Sequence, residues 1–125
     1  MPSLGRILGP DDDPNLGRFG GQSSLDGFHL TATFEPTETR DWVTIILTLE
    51  AERSAMIGIG DFAWFLLHPT FSPSAIKVTF RGNRAQLRLQ AWGGFTVGVW
   101  LPKTGVELEC NLAVIESAPE IIKTR

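Results

Sequence analysis

From residue 28 onward, apolar and polar residues alternate along the chain with a period of two. Residues 28–35, FHLTATFE, place every apolar side chain at an alternate position. This pattern is typical of a β-strand with one face buried. Alternation predicts six strands, over residues 28–35, 42–50, 76–80, 85–91, 95–101 and 106–114, and a continuous apolar run predicts a seventh over residues 62–67.

The predicted strands are short and are separated by turn residues. Residues 62–67 are apolar at every position, which indicates a strand covered on both faces and therefore central in its sheet. The chain contains 13 Gly and 8 Pro, which argues against a helical bundle. We therefore expect an all-β, immunoglobulin-like β-sandwich of about seven to eight antiparallel strands.

The chain of 125 residues has room for a single domain. Residues 1–27 hold six of the glycines and show no periodicity, so we expect a flexible arm whose order would have to come from packing against the domain. Residues 28–116 are the predicted sandwich, and residues 117–125 a C-terminal tail. With 42% hydrophobic and 20% charged residues, the composition is globular.

Composition and charge exclude several classes of partner and of binding site. The formal net charge of -3 argues against a strongly basic nucleic-acid binder. No apolar run is long enough to span a membrane, and no secretory signal is evident. The single cysteine, Cys110, excludes an internal disulfide and a cysteine zinc cage, and the chain offers only two histidines. We expect a cytoplasmic protein without a metal or a cofactor.

Two loops place large aromatic residues where predicted strands end. The first is FLLHPTF, residues 65–71, and the second is AWGGF, residues 91–95. Glycines next to Trp92 expose backbone N–H groups and let a ligand approach the main chain. On the residues alone, packing of these aromatics against one end of the core is the simpler explanation, and ligand binding is the alternative.

At these two loops the sequence resembles the YEATS domain in its prokaryotic form. The segment FLLHPTFSP, residues 65–73, is similar to the strand and loop in which that family has Leu-His-x-Ser/Thr-Phe. The segment LQAWGGFTV, residues 89–97, is similar to the family's aromatic loop, and residues 41–43 resemble its early tryptophan-containing strand. The resemblance covers roughly residues 28–115 and implies the same immunoglobulin-like fold.

Eukaryotic YEATS domains read acylated lysine, so the resemblance implies a non-enzymatic reader of an acylated lysine of the acetyl or crotonyl type. It implies that Phe71 and Trp92 form two aromatic walls and that Thr70 offers a hydroxyl to the acyl-lysine amide. His68 would orient that hydroxyl. The Trp92 N–H would donate to the acyl carbonyl, and Gly93 and Gly94 would give it room.

Two alternatives stand beside this reading. The first is an interaction domain whose loop aromatics only pack. The second is an enzyme built around His68 with Thr70, Ser72 or Asp61, but the spacing of these residues matches no triad motif. The basic residues between 62 and 106, with no acid among them, fit solvated strand faces better than a designed binding patch.

Overall fold

The computed structural model describes residues 13–124. It contains eight strands: β1 (Ser24–Leu25), β2 (Phe28–Pro36), β3 (Val43–Ala51), β4 (Phe62–Leu66), β5 (Ala75–Thr79), β6 (Arg84–Ala91), β7 (Thr96–Leu101) and β8 (Val106–Asn111). Short 3-10 turns follow β3 (Arg53–Ala55) and β8 (Leu112–Val114), and one helix, α1 (Glu120–Thr124), follows the second turn. No helix of residues 13–124 combines the length and the apolarity needed to cross a membrane.

The strands form two antiparallel sheets, which confirms the predicted β-sandwich. The first sheet has the order β1-β2-β3-β6 and the second the order β5-β4-β7-β8. As predicted, β4 is central, with β5 and β7 on its two sides. Alternate residues of the strands fill the core, and Ile45, Leu47, Phe65 and Val99 are fully buried.

The two ends of the sandwich carry different connections. At one end, which we call the loop end, residues 67–74 connect β4 to β5 and residues 92–95 cross from β6 to β7. At the opposite end, which we call the turn end, lie residues 52–61 and the turns at 80–83 and 102–105. The aromatic loops singled out in the sequence therefore emerge from the same end.

The C-terminal part of the chain differs from the prediction in two places. The last strand ends at Asn111 and not at residue 114, because the Asn111 side chain accepts a hydrogen bond from the Ala113 N–H and begins a 3-10 turn. Residues 120–124 form α1, in which Ile122 is fully buried, where the sequence indicated only a tail. This short helix packs against the 3-10 turn at the loop end.

Residues 13–20, which we call the strap, lie against the outer face of the second sheet. The Glu109 carboxylate, on β8, accepts hydrogen bonds from the N–H groups of Gly17 and Phe19, both at 2.8 Å. The Phe19 ring covers Gly98, where an added Cβ would lie 2.3 Å from a ring carbon. The described part of the predicted arm thus packs on the domain.

Candidate functional site

The loop at residues 67–74 is closed at its base and folded by His68. The Leu67 N–H bonds the Ser74 carbonyl at 2.7 Å, and the Phe71 N–H bonds the His68 carbonyl at 3.0 Å. His68 is buried, whereas Thr70 is exposed and Phe71 half-buried. The loop therefore presents Thr70 and part of the Phe71 ring to solvent on a fixed support.

His68 and Thr70 are joined by two hydrogen bonds to one nitrogen. The Thr70 N–H donates to the His68 Nδ1 at 3.2 Å, and the Thr70 Oγ1 lies 2.9 Å from the same nitrogen. A backbone N–H can only donate, so Nδ1 acts as the acceptor in this contact. The Thr70 hydroxyl therefore directs its proton at Nδ1 and keeps its lone pairs for a donor outside the loop.

The backbone of Trp92 is directed by the end of the β3–β6 ladder. The Ala51 N–H bonds the Asn83 carbonyl, and the alternation of an antiparallel ladder then makes Val43 and Ala91 a hydrogen-bonded pair. The next N–H along β6, that of Trp92, consequently points away from β3. Since β6 is an edge strand, this N–H faces the side of the sandwich where β5 also lies.

Phe95 connects the two loops. It is buried at the end of the loop that begins with Trp92, and its ring centroid lies 5.2 Å from that of Phe71. The His68 ring meets the same phenyl ring edge-on, with centroids 6.3 Å apart. Part of Phe71 therefore has a packing role, and the two loops share one aromatic floor.

The two glycines after Trp92 have different surroundings. Gly93 is half-buried in the loop. Gly94 is buried under α1, and an added Cβ would lie 2.2 Å from the Ile122 carbonyl oxygen and 3.1 Å from the Ala113 Cβ. The absence of a side chain at Gly94 is thus required by the helix that closes on the loop.

Sequence reasoning missed three polar residues beneath the loops. Asp13 and Asn15 of the strap and Thr96 of β7 are all buried, and they bond one another or the backbone of the neighbouring strands. The strap shows no alternation, so the pattern did not predict it. The one signal was Gly98, because a glycine inside an apolar strand often marks a place where another segment packs closely against the backbone. Trp42 is also notable, since it directly precedes Val43 of β3, whose partner Ala91 on β6 is directly followed by Trp92.

Three of the five basic residues between positions 62 and 106 are paired with acids from other segments. Three ion pairs have nitrogen–oxygen distances of 2.7–3.0 Å: Arg88–Glu35, Arg84–Glu50 and Lys103–Asp61. Lys77 instead lies over the Phe62 ring, 4.2 Å from its centroid. These contacts favour solvated strand faces over a basic binding patch.

Of the residues considered for an enzyme, Thr70 contacts His68, but Asp61 lies far from both. Asp61 precedes β4 and His68 follows it, so the strand separates them by about 20 Å. Asp61 bonds the Gly58 N–H and then Lys103, which lower the pKa of its carboxyl below the usual value. Among residues 13–124 no group of three His, Cys, Asp or Glu side chains is placed to hold a metal ion.

Comparison with known families identifies the class of this domain. The family model of the prokaryotic YEATS domain matches residues 43–113, more than half of the chain. The chain therefore belongs to the prokaryotic YEATS family, and the matched range includes both loops and all six predicted site residues. Members of the wider YEATS class are non-catalytic, reader-type modules that bind modified peptides or proteins.

No curated protein and no solved structure gives a significant match to this chain. The family assignment therefore rests on the match to the family model, and the sandwich architecture of the chain agrees with it.

Proposed function

We propose that this domain is a non-enzymatic reader that binds an acylated lysine, of the acetyl or crotonyl type, between Phe71 and Trp92. The ligand-binding residues in this proposal are His68, Thr70, Phe71, Trp92, Gly93 and Gly94. The partner is an acylated peptide or protein, and the site uses no metal, cofactor, nucleic acid or membrane. We further propose that the protein acts in the cytoplasm.

The observation that carries the proposal is the pairing of Thr70 with the His68 Nδ1. It leaves the Thr70 lone pairs available to accept from the N–H of an acyl-lysine amide. The outward Trp92 N–H supplies the complementary donor for the acyl carbonyl. An amide needs one acceptor and one donor, and the two loops offer one each.

The same site would discriminate against unmodified lysine. Acylation removes the ammonium charge, so the side chain can leave water at low cost. A planar amide stacked on an aromatic face gains about 0.5–1.5 kcal/mol beyond area burial. An ammonium would have to give up its hydration, and the Thr70 oxygen is a single acceptor atom for its three N–H donors.

Gly93 and Gly94 support the site in different ways under this proposal. Gly93 leaves space beside the Trp92 backbone for the acyl carbonyl. Gly94, two residues after Trp92, lets the loop lie against the Ile122 carbonyl. The loop therefore needs both glycines, one for the ligand and one for α1.

The proposal is tested by titrating the full chain with four otherwise identical peptides that carry acetyl-, propionyl-, crotonyl- or unmodified lysine. We expect the acylated peptides to bind with a Kd of about 10–1000 μM, because so few groups are buried. We expect no measurable binding of the unmodified peptide. Isothermal titration calorimetry or fluorescence polarisation gives the affinities.

The matched variants are Trp92→Ala and Trp100→Ala. Trp100 is 41% exposed on the outer face of β7, so its removal controls for the loss of a surface indole. We expect Trp92→Ala to abolish binding and Trp100→Ala to leave it unchanged. Equal binding of all four peptides, or full binding by Trp92→Ala, would instead support an interaction domain in which Phe71 only packs on Phe95.

A further inference from the structure

The ladder between β4 and β7 stops short at the loop end. Its last pair is Leu66 with Gly98, whereas β7 continues to Thr96. On the other side, Thr96 is opposite Asn111 of β8, and the Leu112 N–H bonds the Phe95 carbonyl. In an antiparallel ladder this bond directs the N–H and the carbonyl of Thr96 away from β8 and toward β4.

Two strap side chains fill the gap where β4 and β7 separate. The Asn15 amide nitrogen donates to the carbonyls of Leu66 at 3.1 Å, Leu67 at 3.3 Å and Thr96 at 3.3 Å. The Asp13 carboxylate accepts from the Thr96 N–H at 2.9 Å and from the Thr96 hydroxyl at 2.7 Å. Side chains thus replace the backbone pairing that the two strands no longer make.

These contacts are shielded from water. Thr96 is fully buried, and Asp13 and Asn15 are 7% and 3% exposed. A buried backbone group without a partner is costly, so loss of either strap side chain would force the strands to shift or admit water. The gap is therefore held at one width by the strap.

The strap is itself anchored by the second sheet, independently of the gap. The Glu109 carboxylate bonds the Gly17 and Phe19 N–H groups, and the Phe19 ring sits on Gly98. Both anchors lie within a few residues of Asp13 and Asn15 along the chain. The contacts of the strap with Glu109 and Gly98 therefore help to hold the Asp13 and Asn15 side chains in the gap.

We propose that Asp13 and Asn15 are positioning residues that set the separation of the two ligand-binding loops. Leu67 immediately precedes His68, and Thr96 immediately follows Phe95. The distance between β4 and β7 at the gap therefore sets the distance between the two loops, and with it the distance between the Phe71 and Trp92 side chains. This inference rests on the function proposed above. A slot held open before the ligand arrives saves the ordering cost of binding, which is the physical basis of preorganised sites.

The test compares Asn15→Leu with Leu49→Ala in the full chain. Leucine matches asparagine in size but offers no donor to the three carbonyls. Leu49 is fully buried at the turn end, so its truncation destabilises the fold far from the gap. The two readouts are amide hydrogen exchange by mass spectrometry and the affinity for the crotonyl-lysine peptide, both measured well below each variant's Tm.

We expect Asn15→Leu to raise exchange in residues 67–72 and 92–96 by at least about tenfold and to weaken peptide binding by about tenfold. Leu49→Ala should lower the Tm and leave both the loops and the affinity unchanged. Unchanged exchange in the loops of Asn15→Leu, or faster exchange with wild-type affinity, overturns the positioning role. If the wild-type protein binds no acylated peptide, the proposed function fails, while the exchange data still decide whether the strap holds the loops.

A second pair of variants tests the same proposal if Asn15→Leu does not fold. Thr96→Val keeps the shape of the side chain but removes the hydroxyl that donates to Asp13, whereas Thr96→Ser keeps the hydroxyl. We expect faster loop exchange in Thr96→Val and near wild-type exchange in Thr96→Ser. Equal behaviour of these two variants would contradict a role for the Asp13 contact.

Discussion

The two ends of this sandwich differ in how their polar side chains are bonded and how far these are exposed to solvent. At the turn end, charged side chains lie in solvent and pair with one another, as in Arg84–Glu50 at 2.8 Å and Lys103–Asp61 at 3.0 Å. At the loop end, the polar side chains are buried and bond backbone groups, as Asn15 does with three carbonyls. Exposed ion pairs contribute little to stability, whereas buried contacts to the backbone fix atomic positions. We therefore expect the end that carries the candidate site to be the more rigid of the two.

The largest effect expected from this comparison is at a glycine. In Gly94→Ala the new methyl group would overlap the Ile122 carbonyl, so α1 or the loop must move, at a cost of about 3 kcal/mol. In the control Gly82→Ala, at the turn end, the methyl group meets no atom within 4 Å, and only the left-handed backbone (φ 64°) is strained, at about 1 kcal/mol. Urea denaturation measures both. Equal losses would show that α1 does not constrain the loop.

A matched pair of charge removals compares the two ends directly. Glu109→Gln leaves one of the two strap N–H groups that the carboxylate binds facing an amide donor, so we expect a loss of about 1–3 kcal/mol. Glu50→Gln removes the charge that pairs with the exposed Arg84 and should cost less than about 1 kcal/mol. Chemical denaturation of both variants at low and at high salt is the measurement. A larger loss in Glu50→Gln would invert the comparison.

The next effect concerns a single hydroxyl at the loop end. Thr70→Val removes the hydroxyl that bonds His68 and that we propose accepts from the ligand amide, so we expect about a tenfold loss of affinity for the crotonyl-lysine peptide. Thr70→Ser keeps the hydroxyl and should bind within about twofold of the wild type. Since Thr70 is exposed, both variants should unfold with nearly the wild-type Tm. Equal affinities in the two variants would remove Thr70 from the site.

The smallest effect is expected at Cys110, on β8. Burial raises the pKa of its thiol to about 11, from an ordinary value of 9.0. The folded state therefore favours the neutral thiol, and this contribution to stability is complete below pH 9 and is lost as the pH rises toward 11. We expect Cys110→Ala to cost about 1 kcal/mol at pH 7 without changing peptide affinity. The difference from the wild type should shrink at pH 10, and a difference that grows with pH would contradict this environment.

The parts of the fold that follow from local pattern could be predicted from the sequence. Alternation located most of the strands, because one-sided burial imposes a period of two, and an apolar residue at every position of 62–67 indicated the central β4. The two loops were found because Pro69, Pro73 and Gly93 interrupt that period. The family resemblance seen at these loops agrees with the match over residues 43–113.

The parts that depend on contacts distant in sequence could not be predicted. The strap has no periodicity, and its order comes from bonds such as that between Asp13 and Thr96, 83 residues apart. The helix α1 is short, and its place in the fold depends on the fully buried Ile122. In the sequence, only Gly98, inside an apolar strand, indicated that another segment packs on the outer face of the second sheet.

The most direct test of the account is an NMR titration of the ¹⁵N-labelled full chain with the crotonyl-lysine peptide. We predict that amide shifts change in residues 67–72 and 92–96 and that the turn end, including residues 80–83, stays unchanged. The same peptide with unmodified lysine should change neither region. Absence of shifts with the acylated peptide, or changes centred on the turn end, would contradict an acyl-lysine site between Phe71 and Trp92.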